Sequence, residues 1–102
     1  MISVTDNELA IVIDIIRRLT PNCDVWVFGS RNNGNVKSYS DLDLAFVAKE
    51  KLTMTDIIAL REAFEESELP YRVDVVDYNS ASPQFRNIID NSHSVIYSGS
   101  IH

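Results

Sequence analysis

One hundred and two residues make one domain's worth of chain, so a single domain rather than a multidomain enzyme is expected. Composition is that of an ordinary globular protein, 45% hydrophobic and 24% charged. Nine Lys and Arg against fifteen Asp and Glu leave a net charge of −6, so general nucleic-acid binding, which needs a basic face, is not expected. A bound polyphosphate would have to be neutralised by something other than bulk charge, and a divalent metal is the natural candidate. The single cysteine, Cys23, permits no intramolecular disulfide. Asp6, Glu8 and Asp14 near the N-terminus do not fit a signal or transit peptide. The longest apolar stretch, Leu9 to Ile16, is broken by Asp14 and falls far short of a membrane span of roughly 20 residues. The expectation is a single cytoplasmic domain over residues 1–102.

The first helix is announced by Thr5 and Glu8 at capping-box spacing, with Val4 and Leu9 as a hydrophobic staple. Leu9, Val12, Ile13, Ile16 and Leu19 repeat at helical spacing until Pro21. Ile11 and Ile15 fall off that stripe, so the helix is apolar on more than one side, which suits either a core helix or a docking patch for a partner. Asp24 to Phe28 reads as a buried strand running into Gly29-Ser30, and a polar, glycine-bearing stretch from Arg31 to Ser40 follows. Asp41 to Val47 alternates with period two: Leu42, Leu44 and Phe46 share one face, Asp41, Asp43, Ala45 and Val47 the other. Thr53 and Asp56 repeat the capping grammar ahead of a helix with Ile57, Leu60 and Phe64 inward. Tyr71 to Val76 is a third strand with Val73 and Val75 on one face and Arg72, Asp74 and Val76 on the other. Ser82-Pro83 starts a short helix carrying Phe85, Ile88 and Ile89, and Ser94 to Tyr97 is a weak edge strand. This order predicts an α/β (α+β) single-domain fold, a mixed β-sheet with helices packed on one face.

Three carboxylates, Asp41, Asp43 and Asp74, occupy the polar faces of two predicted strands. Residues i and i+2 of a strand lie about 6.6 Å apart and point the same way. Two such carboxylates can converge on one Mg²⁺, which binds through one or two carboxylates plus substrate phosphates, and a third on an adjacent strand can complete a two-metal site. Two unit charges about 6 Å apart repel by roughly 2.8 kcal/mol at an effective dielectric near 20, a poor structural choice unless solvent or a cation intervenes. An Asp-x-Asp pair alone is common on exposed strand faces. Here it follows Gly29-Ser30, where glycine lets a ligand approach the backbone and serine offers a hydroxyl and an amide to phosphate. Arg31, Lys37 and Ser40 are candidates for further phosphate contacts. Asp77 is expected to end a strand or enter a turn, and Arg72 to pair with Asp74. His93 and His102 have no second ligand at zinc spacing, and Cys23 no catalytic histidine.

Val27-Phe28-Gly29-Ser30-Arg31, then Gly34, then Ser40-Asp41-Leu42-Asp43-Leu44, with Asp74 in Arg72-Val73-Asp74-Val75, resembles the signature of the DNA-polymerase-β-like nucleotidyltransferases, and the short length points to their minimal (MNT) branch. Asn32 and Asn33 depart from the family's usual Ala and Arg before the second glycine. The resemblance implies a sheet whose open face holds Mg²⁺, two ions, and ATP. By that analogy Asp41, Asp43 and Asp74 are the metal-binding, catalytic residues, and Gly29, Ser30, Arg31 and Ser40 bind the nucleotide. It also implies a partner: minimal nucleotidyltransferases commonly pair with a HEPN-domain protein, often a toxin, and some transfer AMP to one of its tyrosines. The expected function is therefore an antitoxin adenylyltransferase in a hetero-oligomer. The alternatives are a non-catalytic antitoxin that occludes its partner and transfer to a small-molecule hydroxyl.

Overall fold

The two long helices begin with the same side-chain device. At α1 (Asp6–Leu19) the Thr5 hydroxyl accepts the Glu8 N–H at 3.1 Å while the Glu8 carboxylate accepts the Thr5 N–H at 3.1 Å. At α3 (Met54–Glu66) Thr53 and Asp56 make the same exchange at 3.0 and 3.3 Å. Each cap satisfies two backbone donors that a helix start leaves without partners. The structure is a computed structural model and describes residues 2–34, 36–37 and 39–99.

Four strands, β1 (Asp24–Phe28), β2 (Leu42–Val47), β3 (Val73–Asp77) and β4 (His93–Tyr97), form one sheet in the order β3-β2-β1-β4. β1 runs antiparallel to β2 and β4, whereas β2 and β3 are parallel. Parallel neighbours need a crossover, and α3 supplies it. The sheet is mixed, as the sequence predicts, and β4 is an edge. Observed β2 begins one residue after Asp41, and β3 runs from Val73 to Asp77 where Tyr71 to Val76 was expected.

One sheet face carries the main core. Val25, Val27, Leu42, Leu44, Phe46 and Val75 meet Val12, Ile15 and Ile16 of α1 and Leu60 and Phe64 of α3. Ile15 is only 3% exposed and belongs to this core, so the second apolar side of α1 serves in part its contact with α3, while Ile11 is only partly buried beside it. The opposite face departs from the expected one-sided arrangement. There α4 (Pro83–Asn91) buries Ile89 against Phe28 and Ala45, with the Phe85 ring edge-on to Phe28 at 5.7 Å. Phe28 and Ala45 make that end of the second face apolar, so it too needs a cover. Among the described residues, no helix is long and apolar enough to cross a membrane.

Candidate active site

The site grows from the end of β1. After Phe28 the chain turns through Gly29, at φ 75°, into α2, a single helical turn (Ser30–Asn33) closed by Gly34 at φ 87°. Both values lie in the region that glycine enters without steric penalty. Gly29 has a second reason to lack a side chain, because a Cβ there would overlap the Asp43 carboxylate. The glycine turn and the acid are thus in direct contact.

Asp43 stands on β2 with Phe28 opposite it on β1 and Asp74 opposite it on β3. Neighbouring strands lie about 4.8 Å apart, so two carboxylates in matched register on one face are pressed together. Burial, followed by the charge of Asp74, a hydrogen bond shared with Asp74 and the charge of Asp41, pushes the Asp43 carboxyl from 3.8 up to about 6. Asp41, just outside β2, joins the group through Arg72, whose guanidinium lies 3.1 Å from Asp74 Oδ1 and 4.0 Å from Asp41 Oδ2. The expected pairing of Arg72 with Asp74 is present, and Arg72 in addition ties the two outer acids together. Among the described residues, no three carboxylate, imidazole or thiol groups are drawn into a finished metal cluster. Asp43 and Asp74 nonetheless fit a hard cation: two oxygen donors crowded on one face, in a region where excess negative charge is already disfavoured. A groove lined by Arg61, Phe64, Glu65, Arg72, Val73 and Asp74 opens between α3 and the β3 edge.

Arg31, a candidate phosphate contact, is buried against other parts of the chain. Its side chain is 6% exposed, donates to the carbonyls of Ser40 at 3.0 Å and Ser3 at 2.8 Å, and lies 3.8 Å from the centre of the Tyr71 ring. The Ser3 N–H returns a hydrogen bond to the Arg31 carbonyl, and the Tyr71 hydroxyl donates to Glu8 at 2.9 Å. Burial and Glu8 together hold that phenol well above its ordinary pKa. Arg31 therefore clamps the loop, the N-terminal segment and the entry to β3. Sequence reading missed this, because its partners lie 9 to 40 residues away and two of them, Ser3 and Tyr71, fall outside the motif.

Ser40 is held in a reciprocal turn, its hydroxyl accepting the Lys37 N–H and its own N–H donating to the Lys37 carbonyl, both at 2.9 Å. Asn32, one of the departures from the family pattern, donates to the Ser92 hydroxyl at 3.2 Å and accepts from Ser94, fastening α2 to the start of β4. Asp77 ends β3, as expected, and receives hydrogen bonds from the Leu52 and Asn79 N–H groups and the Ser80 hydroxyl. Cys23 is buried, which raises its thiol pKa. His93 stacks on Trp26 with ring centres 4.1 Å apart, while His102 lies outside the described residues.

The family model described as polymerase beta, nucleotidyltransferase matches residues 12–102. The chain belongs to this nucleotidyltransferase family. Among curated relatives, the probable protein adenylyltransferase MntA of Haemophilus influenzae is 46% identical over 95 residues, 93% of this chain and 83% of the relative. A crystal structure of a toxin-antitoxin with AMP-PNP superposes with a TM-score of 0.76 at 25% identity, covering 88% of this chain and 73% of that one. An MNT antitoxin in complex with the tri-AMPylated HEPN toxin of Shewanella oneidensis shares the fold at a TM-score of 0.67 and 24% identity, over 88% and 69% of the two chains.

Proposed function

We propose that this protein is a Mg²⁺-dependent adenylyltransferase, a single minimal domain over residues 1–102, that moves AMP from ATP to a tyrosine hydroxyl of a HEPN-domain partner. It acts as that partner's antitoxin in a cytoplasmic hetero-oligomer. The observation that carries the reading is the matched register of Asp43 and Asp74 beside the side-chain-free turn at Gly29. The relative named as a protein adenylyltransferase, and the solved antitoxin found with an AMPylated HEPN toxin, support the acceptor class. The structure determined with AMP-PNP supports ATP as donor.

Gly29, Ser30 and Ser40 receive the β- and γ-phosphates, and Arg31 positions Ser40 through its carbonyl. Asp41, Asp43 and Asp74 hold Mg²⁺, two ions in the full site, which when bound neutralise the triphosphate and stabilise the attacking and leaving oxygens together. The acceptor oxygen attacks the α-phosphorus in line, the bond to the β-phosphate oxygen breaks, and pyrophosphate leaves. Asp74, beside the β3-edge groove, orients the attacking hydroxyl and accepts its hydrogen bond.

Intact masses test the reading. A HEPN-domain partner is incubated with the chain, Mg²⁺ and ATP, with Asp43→Asn as control. A gain of AMP units on the partner that the variant abolishes is expected. Complex formation and protection with no mass change would replace catalysis by occlusion.

A further inference from the structure

The molecule carries its own acceptor of the class this site uses. The chain has four tyrosines. Three hydroxyls are engaged: Tyr71 with Glu8, Tyr78 with Asp90 at 2.7 Å and Tyr97 with the Pro21 carbonyl at 3.1 Å. The fourth, Tyr39, is 74% exposed, the most exposed of the large apolar side chains, and its hydroxyl has no partner among the described residues. It stands between Lys37 and Ser40 in the loop leading into Asp41 and β2, within the turn that the Ser40 hydrogen bonds close.

We infer that Tyr39 is a self-adenylylation site, modified by the active site of a second copy of this chain. The inference rests on the nucleotidyl-transfer reading above. A phenol becomes an acceptor when it enters a foreign site without first breaking bonds at home, and Tyr39 alone among the four meets that condition. The second copy follows from geometry. Tyr39 adjoins Ser40, on the side assigned to the leaving phosphates, while in-line transfer places the nucleophile opposite the leaving group. On that assignment Tyr39 lies on the wrong side of its own ATP for in-line attack, whereas its exposed hydroxyl is open to the active site of another molecule. The step is balanced: Tyr39 Oη bonds to the α-phosphorus, the bond to the β-phosphate oxygen breaks, pyrophosphate departs, and the phenolic proton passes to solvent.

The test uses the full chain with Mg²⁺ and ATP, without partner, read by intact mass and peptide mapping. Wild type is expected to gain one AMP unit on the peptide holding Tyr39, at a rate rising with the square of protein concentration. Tyr39→Phe is expected to show complete loss of the gain, unchanged melting and undiminished transfer to the HEPN partner. Mixing Asp43→Asn, which keeps Tyr39, with Tyr39→Phe, which keeps the site, should place AMP on the Asp43→Asn chain alone. Transfer to the HEPN partner with no gain on this chain overturns the inference and leaves the proposed function standing, whereas no transfer to either overturns both. AMP on another residue, or wild-type gain without transfer in the mixture, also overturns it.

Discussion

β2 has two faces with opposite duties. Leu42, Leu44 and Phe46 are at most 1% exposed and are held between the sheet and the two long helices. Asp43, one residue out of phase, is half-buried on the other face, where α4 covers Phe28 and Ala45 and the Asp43–Asp74 end is left for chemistry. The comparison shows how a chain this short separates stability from reactivity. Period-two alternation lets adjacent residues belong to different environments, so the acids are crowded without disturbing the core that holds their backbone.

The sharpest way to break that division is to damage each face and read the other. Phe46→Ala is expected to lower unfolding stability by about 3–5 kcal/mol in urea titrations, through lost burial and a residual cavity. Asp43→Asn should lower AMP transfer about 100–1000-fold, a magnitude typical of losing one transition-state electrostatic contact. Its metal-free urea midpoint should be equal to or above that of wild type, and a lower midpoint would show Asp43 serving the fold. Gly29→Ala stands between the two: the strained backbone and the overlap with Asp43 should cost about 1–3 kcal/mol and also reduce transfer.

The smallest effect is a pH dependence. Asp43 is raised from 3.8 to about 6 in the fold, so folding favours its protonated form. Its contribution to metal-free stability is therefore fully present below pH 3.8 and is lost as pH rises through 6. The melting temperature of wild type relative to Asp43→Asn should fall across that window. Mg²⁺ binding, which needs the carboxylate, should strengthen over the same range, and calorimetry at several pH values measures both.

Alternation made the acid face legible in the sequence, and the capping boxes placed both long helices. Gly29-Ser30 marked the end of β1 because nothing in a strand calls for that glycine. The neighbour of Asp43 was not legible from local pattern, since alternation assigns a face but not the strand beside it. The structural partners of Arg31 were hidden for a related reason: an arginine after a phosphate-type turn reads as a ligand contact, and Ser3 and Tyr71 arrive from elsewhere in the chain. Ile15 was ambiguous between surface and core because only the α1–α3 contact decides it.

The parallel pairing of β2 with β3 also sets a schedule. Asp43 and Asp74 are brought together across the whole of α3, and the sheet is completed only when Val25 finds Tyr97. Long-range strand pairings form late relative to local helices, because loop closure precedes any gain from contact. During synthesis Asp43 emerges well before its partner, so a nascent chain that has made its capped helices does not yet hold the two acids side by side. On the proposed function, AMP transfer would therefore report completed folding.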